Sequence, residues 1–485
     1  MPVHLLVIQR VLGFLLMLFS AAMLFPILVS IIYRDNLWPL FLNSFLIILF
    51  VGLIIWYPVR GEKRELRLRD GFLVVALFWA VLSLFGALPF LFSNILDMTF
   101  TDAVFESVSG LTTTGASVLV GLDVLPKSIL FYRQQLQWLG GLGIIVLAVA
   151  VLPMLGVGGM QLYKAETPGP VKDSKLTPRI TETAKALWYV YLGITIICCI
   201  SFKLAGMDYF DALCHAFSTV AIGGFSTHDE SIGYFNSQSI EIITMLFMFI
   251  SAANFSLHFL AWRQRSFSSY FIDPEFRAYA KLVIFLIILS IFYLYFSGYY
   301  SSVGETLSKG LFQVVSIATT TGFTTDNFSQ WPGALPVMLI FASFIGGCAG
   351  STAGGIKVIR WLVMYKQGIR EVLRLVHPSA TITIKLGDKG IDSRVLASIW
   401  GFFTAYVVVF SILMLVLLAD GADQATAFSA IAATLNNLGP GLAGVSDGFM
   451  NLGIVSKWAT IFAMLLGRLE IFTLLVLITP TFWRS

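Results

Sequence analysis

Apolar runs free of Asp, Glu, Lys and Arg recur along the whole 485-residue chain, at 11–33, 36–59, 72–92, 134–163, 186–202, 242–262, 282–304, 327–356 and 395–419. A tenth, 458–483, is interrupted by Arg468 and Glu470. Each run reaches the roughly 17–25 residues that a helix needs to cross a bilayer and is too long for a barrel strand. In lipid a segment must satisfy its own backbone N–H and C=O groups, so every run is predicted to be helical. The expected fold class is an all-α membrane protein with ten transmembrane helices, multi-pass, both termini on one side.

The polar positions between the runs repeat. After the opening pair, each connection on the far side of the membrane holds a short helical stretch leading into a glycine-centred loop: SGLTTTG at 109–115, STVAIGG at 218–224, SIATTTG at 316–322 and ATLNNLG at 433–439. The final glycines, Gly115, Gly224, Gly322 and Gly439, lie 109, 98 and 117 residues apart, one span-loop-span unit each time. A stretch such as 102–111 makes a helix of roughly 15 Å, too short to cross. It must re-enter on the side it came from. Irregular backbone at membrane depth is tolerated where it is buried or lines water, so four such loops around one axis imply a pseudo-fourfold pore. Helix C-termini carry partial negative charge, and loop carbonyls can replace a hydration shell; both favour a monovalent cation.

Charge orients this frame. Of 31 basic residues, 22 lie in the four loops that join successive pairs of spans, which places those loops and both termini in the cytoplasm. Fifteen of the 27 acidic residues fall on the opposite side, among them Asp97, Asp102, Glu106, Asp123, Asp208, Asp211, Asp229 and Glu230. An acidic outer mouth would concentrate cations; polar outer loops alone would look the same. At 57% hydrophobic and 12% charged residues, the composition belongs to a bilayer protein.

Two further features stand out. Within GGCAGSTAGG at 346–355, half the residues are glycine (Gly346, Gly347, Gly350, Gly354, Gly355). That is incompatible with a stable helix, so this eighth run is expected to unwind into a loop that could obstruct the pathway; close helix packing through Gly346, Gly350 and Gly354 is the alternative. Arg468 lies in the last run, where a charge is costly. It either enters the pore as a positive barrier or pairs with Glu470 or nearby carbonyls, and two-residue spacing makes Glu470 a poor partner. Asn254 and His258 are read as interhelical hydrogen-bonding groups. The four cysteines form no CxxC pair, and the chain contains no HExxH, GxSxG, Walker or GxGxxG sequence, so no enzyme is expected.

Four span/pore-loop/span units, the glycine break GGCAGSTAGGIK in the third and Arg468 in the fourth together resemble the Trk/Ktr/HKT superfamily of potassium transporters, most of all its bacterial TrkH branch. The resemblance implies potassium uptake, with rubidium also conducted, across a bacterial inner membrane. It implies a homodimer with one pore per subunit and a cytoplasmic TrkA-like nucleotide-binding ring that responds to ATP or NAD. Neither a bound cofactor nor a nucleic-acid partner is implied. By position, the ion-lining carbonyls would be those of Thr112 and Thr113, Ala221 and Ile222, Thr319 and Thr320, and Asn436 and Asn437. Gly346–Gly355 would be the gate and Arg468 the positive pore residue. Loops two and four lack the Thr-rich run, so the four sets of carbonyls are not expected to be equivalent. The units are delimited as 1–70 (opening pair), 71–166, 167–270, 271–375 with the gate, and 376–485. Symport with sodium or protons, with Glu470 as the main carboxylate for a proton, is the alternative; an organic-solute transporter or a sensor subunit is a weaker one.

Overall fold

A computed structural model describes residues 4–62, 68–146, 180–387, 389–469 and 471–483, and Glu470 and most of 134–163 lie outside them. Apart from a pair of two-residue strands, Lys385–Leu386 and Lys389–Gly390, all regular structure in these residues is helical.

The opening pair is Leu5–Ser20, which runs through a 3-10 turn into Leu24–Tyr33, and Trp38–Trp56. These helices touch at glycines: a Cβ on Gly13 would meet the Trp56 backbone at 2.7 Å and one on Gly52 would meet Met17 at 2.9 Å. Only hydrogen side chains permit that approach.

Four units follow, each with an outer helix, a pore helix and an inner helix. The outer helices are Leu68–Gly86, Ile180–Leu204, Pro274–Ser297 and Ser393–Ala419. The pore helices are Phe100–Leu111, Tyr209–Ala221, Val303–Ala318 and Gln424–Leu435. The inner helices are Lys127–Val146, Gln238–Ser251 with Phe255–Gln264, Leu335–Ile345 with Val358–Val376, and Ile454–Leu469 with Ile471–Ile478. Every pore helix starts on a side-chain cap: Thr99, Asp208, Ser302 and Asp423 each accept from a backbone N–H of the first turn. Capping satisfies donors that no intrahelical partner can reach, so these short helices hold their ends.

Each inner helix packs against the pore helix of the next unit, and the inner helix of the fourth unit packs against the pore helix of the first. The units therefore close into a ring.

Among the described residues six helical stretches are long and apolar enough to cross a membrane: Leu5–Tyr33, Trp38–Val59, Asp70–Leu91, Lys185–Leu204, Pro274–Ser297 and Ser393–Ala419. The sixth predicted run, 242–262, is not one rod but two helices bent by 95° at residues 252–254. The eighth is helical only over Leu335–Ile345 before the chain leaves the helix, and helix resumes at Val358.

Candidate functional site

All four glycine loops have one backbone. Each pore helix ends in a paired hydrogen-bond motif in which Thr113, Ile222, Thr320 and Asn437 donate to the carbonyls of Gly110, Thr219, Ile317 and Thr434 at 3.0–3.2 Å. The next residues, Thr114, Gly223, Thr321 and Leu438, donate to Ser109, Ser218, Ser316 and Ala433 at 2.8–2.9 Å. This helix ending requires a left-handed residue, usually glycine. Here the left-handed positions are Thr113 (φ 53°), Ile222 (55°), Thr320 (63°) and Asn437 (52°), three of them β-branched. Such residues cost of order 1–3 kcal/mol each in that region and persist where the surroundings hold them. All four loops share this main-chain ending: helix-end hydrogen bonds use backbone groups, so the loss of threonines from loops two and four leaves it intact.

The loops also interlock. Gly115, Gly224, Gly322 and Gly439 have φ of 81°, 77°, 87° and 96°. A Cβ on Gly115 would strike the carbonyl of Gly223, one on Gly224 that of Thr321, one on Gly322 that of Leu438, and one on Gly439 that of Thr114, each inside 3.0 Å. The order of contact is first to second, second to third, third to fourth and fourth to first. Each glycine thus rests on the carbonyl that precedes the next glycine, a closed ring in which no side chain fits.

One cavity of about 590 Å³ is lined by all four glycines and by Asp229, Glu230, Asp326 and Asp447. Glu106, read from sequence as part of an acidic mouth, does not belong to it in that sense. It is fully buried, accepts from Arg133 Nε at 2.7 Å and from the Val118 amide at 3.1 Å, while Arg133 reaches the Ser226 carbonyl and stacks on Phe225. The pair ties the segment after loop one to the segment after loop two. His228 makes a second tie at the rim, with Nδ1 2.5 Å from Asp123 and Nε2 3.2 Å from Asp211, its ring stacked on Tyr234. Burial opposes the charged imidazole, but hydrogen bonds to Asp211 and Asp123 and their negative charge outweigh it, so the His228 pKa is raised above its usual 6.5.

Beneath the ring lies the glycine-rich break. Gly346 (φ 67°) and Gly355 (φ 74°) pinch its two ends together, since a Cβ on Gly355 would meet the Gly346 backbone at 2.9 Å. The break is therefore a compact loop rather than a helix-packing face, and Gly346, Gly350 and Gly354 are not one helical stripe. Its contacts run to the glycine loops: the Gly354 amide donates to Thr320 Oγ1 at 2.7 Å and the Gly355 amide to the Asn436 carbonyl at 3.1 Å. The Asn436 carbonyl, one of the eight expected to face an ion, is thus in contact with the break. Thr352 Oγ1 donates to the Val220 carbonyl at 3.0 Å.

Arg468 is buried and donates through Nη1 to the Thr352 carbonyl at 2.9 Å and through Nη2 toward the Gly140 carbonyl at 3.4 Å. Arg468 thus pairs with carbonyls, and the nearer of them belongs to the break. The bend of the second inner helix is shaped by the same loop: Cys348 donates to the Ala252 carbonyl at 2.9 Å and Phe255 donates to the Gly350 carbonyl at 3.1 Å. Asn254 caps the helix that starts at Phe255, and His258 bonds the Tyr270 hydroxyl and the Ile250 carbonyl. Three residues here carried no reading from sequence, Gln137, Arg133 and Glu275, whose carboxylate accepts from the Ala349 amide at 2.6 Å, and Glu106 was read only as an outer charge. Gln137 carries no local signal; Glu106 and Arg133 sit 27 residues apart and read as separate loop charges.

Comparison with known proteins places this geometry. A family model described as TrkH, cation transport protein, matches residues 38–484. The chain is 55% identical to the Trk system potassium uptake protein TrkH of Escherichia coli K12, covering 99% of this chain and 100% of the relative. It is 57% identical to the protein of the same name from Vibrio parahaemolyticus, covering 99% of each. The crystal structure of the potassium transporter TrkH from Vibrio parahaemolyticus superposes with a TM-score of 0.92 at 54% identity, over 99% of this chain and all of that one.

Proposed function

The chain belongs to the TrkH family of cation transport proteins, and from that premise we propose that it takes potassium into a bacterial cell through a gated, channel-like pore on the axis of the four loops. The observation that carries the reading is the cyclic interlock of Gly115, Gly224, Gly322 and Gly439 on the carbonyls of the neighbouring loop. A ring of backbone carbonyls held at fixed spacing can replace the water around a monovalent cation, and potassium is less costly to dehydrate than sodium. Rubidium, close to potassium in size, passes the same ring.

In this reading the carbonyls of Thr112, Thr113, Ala221, Ile222, Thr319, Thr320, Asn436 and Asn437, with those of the residues before each glycine, line the ion path. Asp229, Glu230, Asp326 and Asp447 raise the cation concentration at its entrance. The segment Gly346–Gly355 is the gate, since it lies against Thr320 and Asn436 and is held by Arg468. The membrane potential drives entry at about 2.3 kcal/mol per charge per 100 mV. The units 71–166, 167–270, 271–375 and 376–485 each contribute a quarter of the pore. Two copies associate, each with its own pore, and a TrkA-like ring that senses ATP or NAD acts on the gate from the cytoplasm, where both termini lie.

Rubidium influx into proteoliposomes at a clamped inside-negative potential tests the mode of transport. Influx is expected to follow the potential with sodium and proton gradients absent; influx that disappears without one of those gradients would replace the channel by a symporter.

A further inference from the structure

Gln137, on the first inner helix, is fully buried, and its amide makes three hydrogen bonds to the second loop. Oε1 accepts from the Phe225 amide at 3.1 Å and from the Ser218 hydroxyl at 2.7 Å, and Nε2 donates to the Gly223 carbonyl at 2.6 Å. A backbone N–H can only donate and a carbonyl only accept, so these partners fix which end of the amide is which.

The second loop lacks what braces the others. In loops one and three, hydroxyls pair within the loop, Thr112 with Thr114 and Thr319 with Thr321, each at 2.7 Å. In loop four, Asn437 Nδ2 donates to Thr114 Oγ1 at 2.9 Å and to the Met464 carbonyl at 3.0 Å. Loop two has Ala221 and Gly223 at the positions of the paired threonines, with no hydroxyl at either. Gly223 instead leaves room for the glutamine: a Cβ there would fall on Gln137 Cδ and Oε1 inside 3.0 Å. A glycine peptide turns more freely than any other. Its carbonyl is also the one on which Gly115 rests. Among the described residues the corresponding carbonyls of Thr114, Thr321 and Leu438 accept no hydrogen bond.

We propose that Gln137 is a specificity-determining positioning residue, whose amide stands in for the missing threonines and fixes the second loop so that the ring discriminates potassium from sodium. This rests on the four-loop pore described above. Discrimination depends on the number and direction of the carbonyl dipoles facing the ion, and an unbraced Gly223 carbonyl can turn to follow a smaller one.

The test is the potassium-to-sodium permeability ratio of the full-length protein in liposomes, measured for Gln137→Leu and Gln134→Leu. Gln134 is equally buried on the same helix, but its amide atoms have no hydrogen-bond partner among the described residues. Gln137→Leu removes all three bonds at nearly constant volume, and the ratio is expected to fall about tenfold while rubidium influx persists. Gln134→Leu is expected to leave the ratio unchanged, which a general effect of burying leucine would not. If Gln137→Leu does not yield folded protein, Gln137→Met carries the same prediction. An unchanged ratio for the Gln137 variant, alongside a changed ratio for Gly322→Ala, overturns the role of Gln137 and leaves the pore standing. A ratio that neither substitution moves overturns the pore reading and this proposal together.

Discussion

Gly322→Val is expected to abolish potassium uptake in a protein that still reaches the membrane. Gly322 holds φ at 87°, a region that costs a β-branched residue about 1–3 kcal/mol before any contact is counted. The larger penalty is positional: even the first carbon of the side chain would strike the Leu438 carbonyl and stand 2.7 Å from Pro440 Cδ. Relief requires the fourth loop to move away from the axis, and the ring opens where the third and fourth loops meet. Rubidium uptake and the potassium-to-sodium ratio read the effect directly. Gly298→Ala serves as the comparison, because Gly298 also has positive φ (64°) but nothing within 4 Å of a built Cβ. It should cost about 1 kcal/mol of stability and leave transport intact. Equal transport in the two variants would remove loop three from the ion path.

Deleting 348–353 is expected to raise basal rubidium flux several-fold in the absence of any regulatory partner. The deletion is geometrically mild, since Gly346 and Gly355 already touch and Ile356 donates to the Phe344 carbonyl at 2.9 Å, so the helices on either side need not separate. It removes Thr352, and with it the hydrogen bonds to Arg468 and Val220 that hold the loop in place. Thr352→Val removes only the hydroxyl bonds and should raise flux by a smaller factor. Reduced flux in the deletion, with Thr352→Val transporting normally, would make the loop a packing element.

The all-helical membrane frame was legible because span length and repeat spacing are one-dimensional properties, visible in 109–115, 218–224, 316–322 and 433–439 without a structure. Glycine density likewise announced the break at 346–355. The bend at 252–254 was not legible: Ala252, Ala253 and Asn254 include neither glycine nor proline, and alanine is the best helix former. The bend is imposed by the third unit, which takes the Ala252 carbonyl and the Phe255 amide for Cys348 and Gly350. Loop two misled for a related reason. Where loops one and three pair hydroxyls, loop two is met by Gln137, 86 residues from Gly223, and no local pattern reports a contact at that distance. Arg468 was visible as an oddity, whereas its partner, a carbonyl 116 residues away, was not.

Cations are expected to pass on the axis of the four interlocked loops. Anomalous diffraction from crystals grown in rubidium tests it most directly. Rubidium density is expected on that axis, enclosed by the loops that end at Gly115, Gly224, Gly322 and Gly439; an empty axis with ordered rubidium elsewhere within the membrane region would place the ion path outside the four loops.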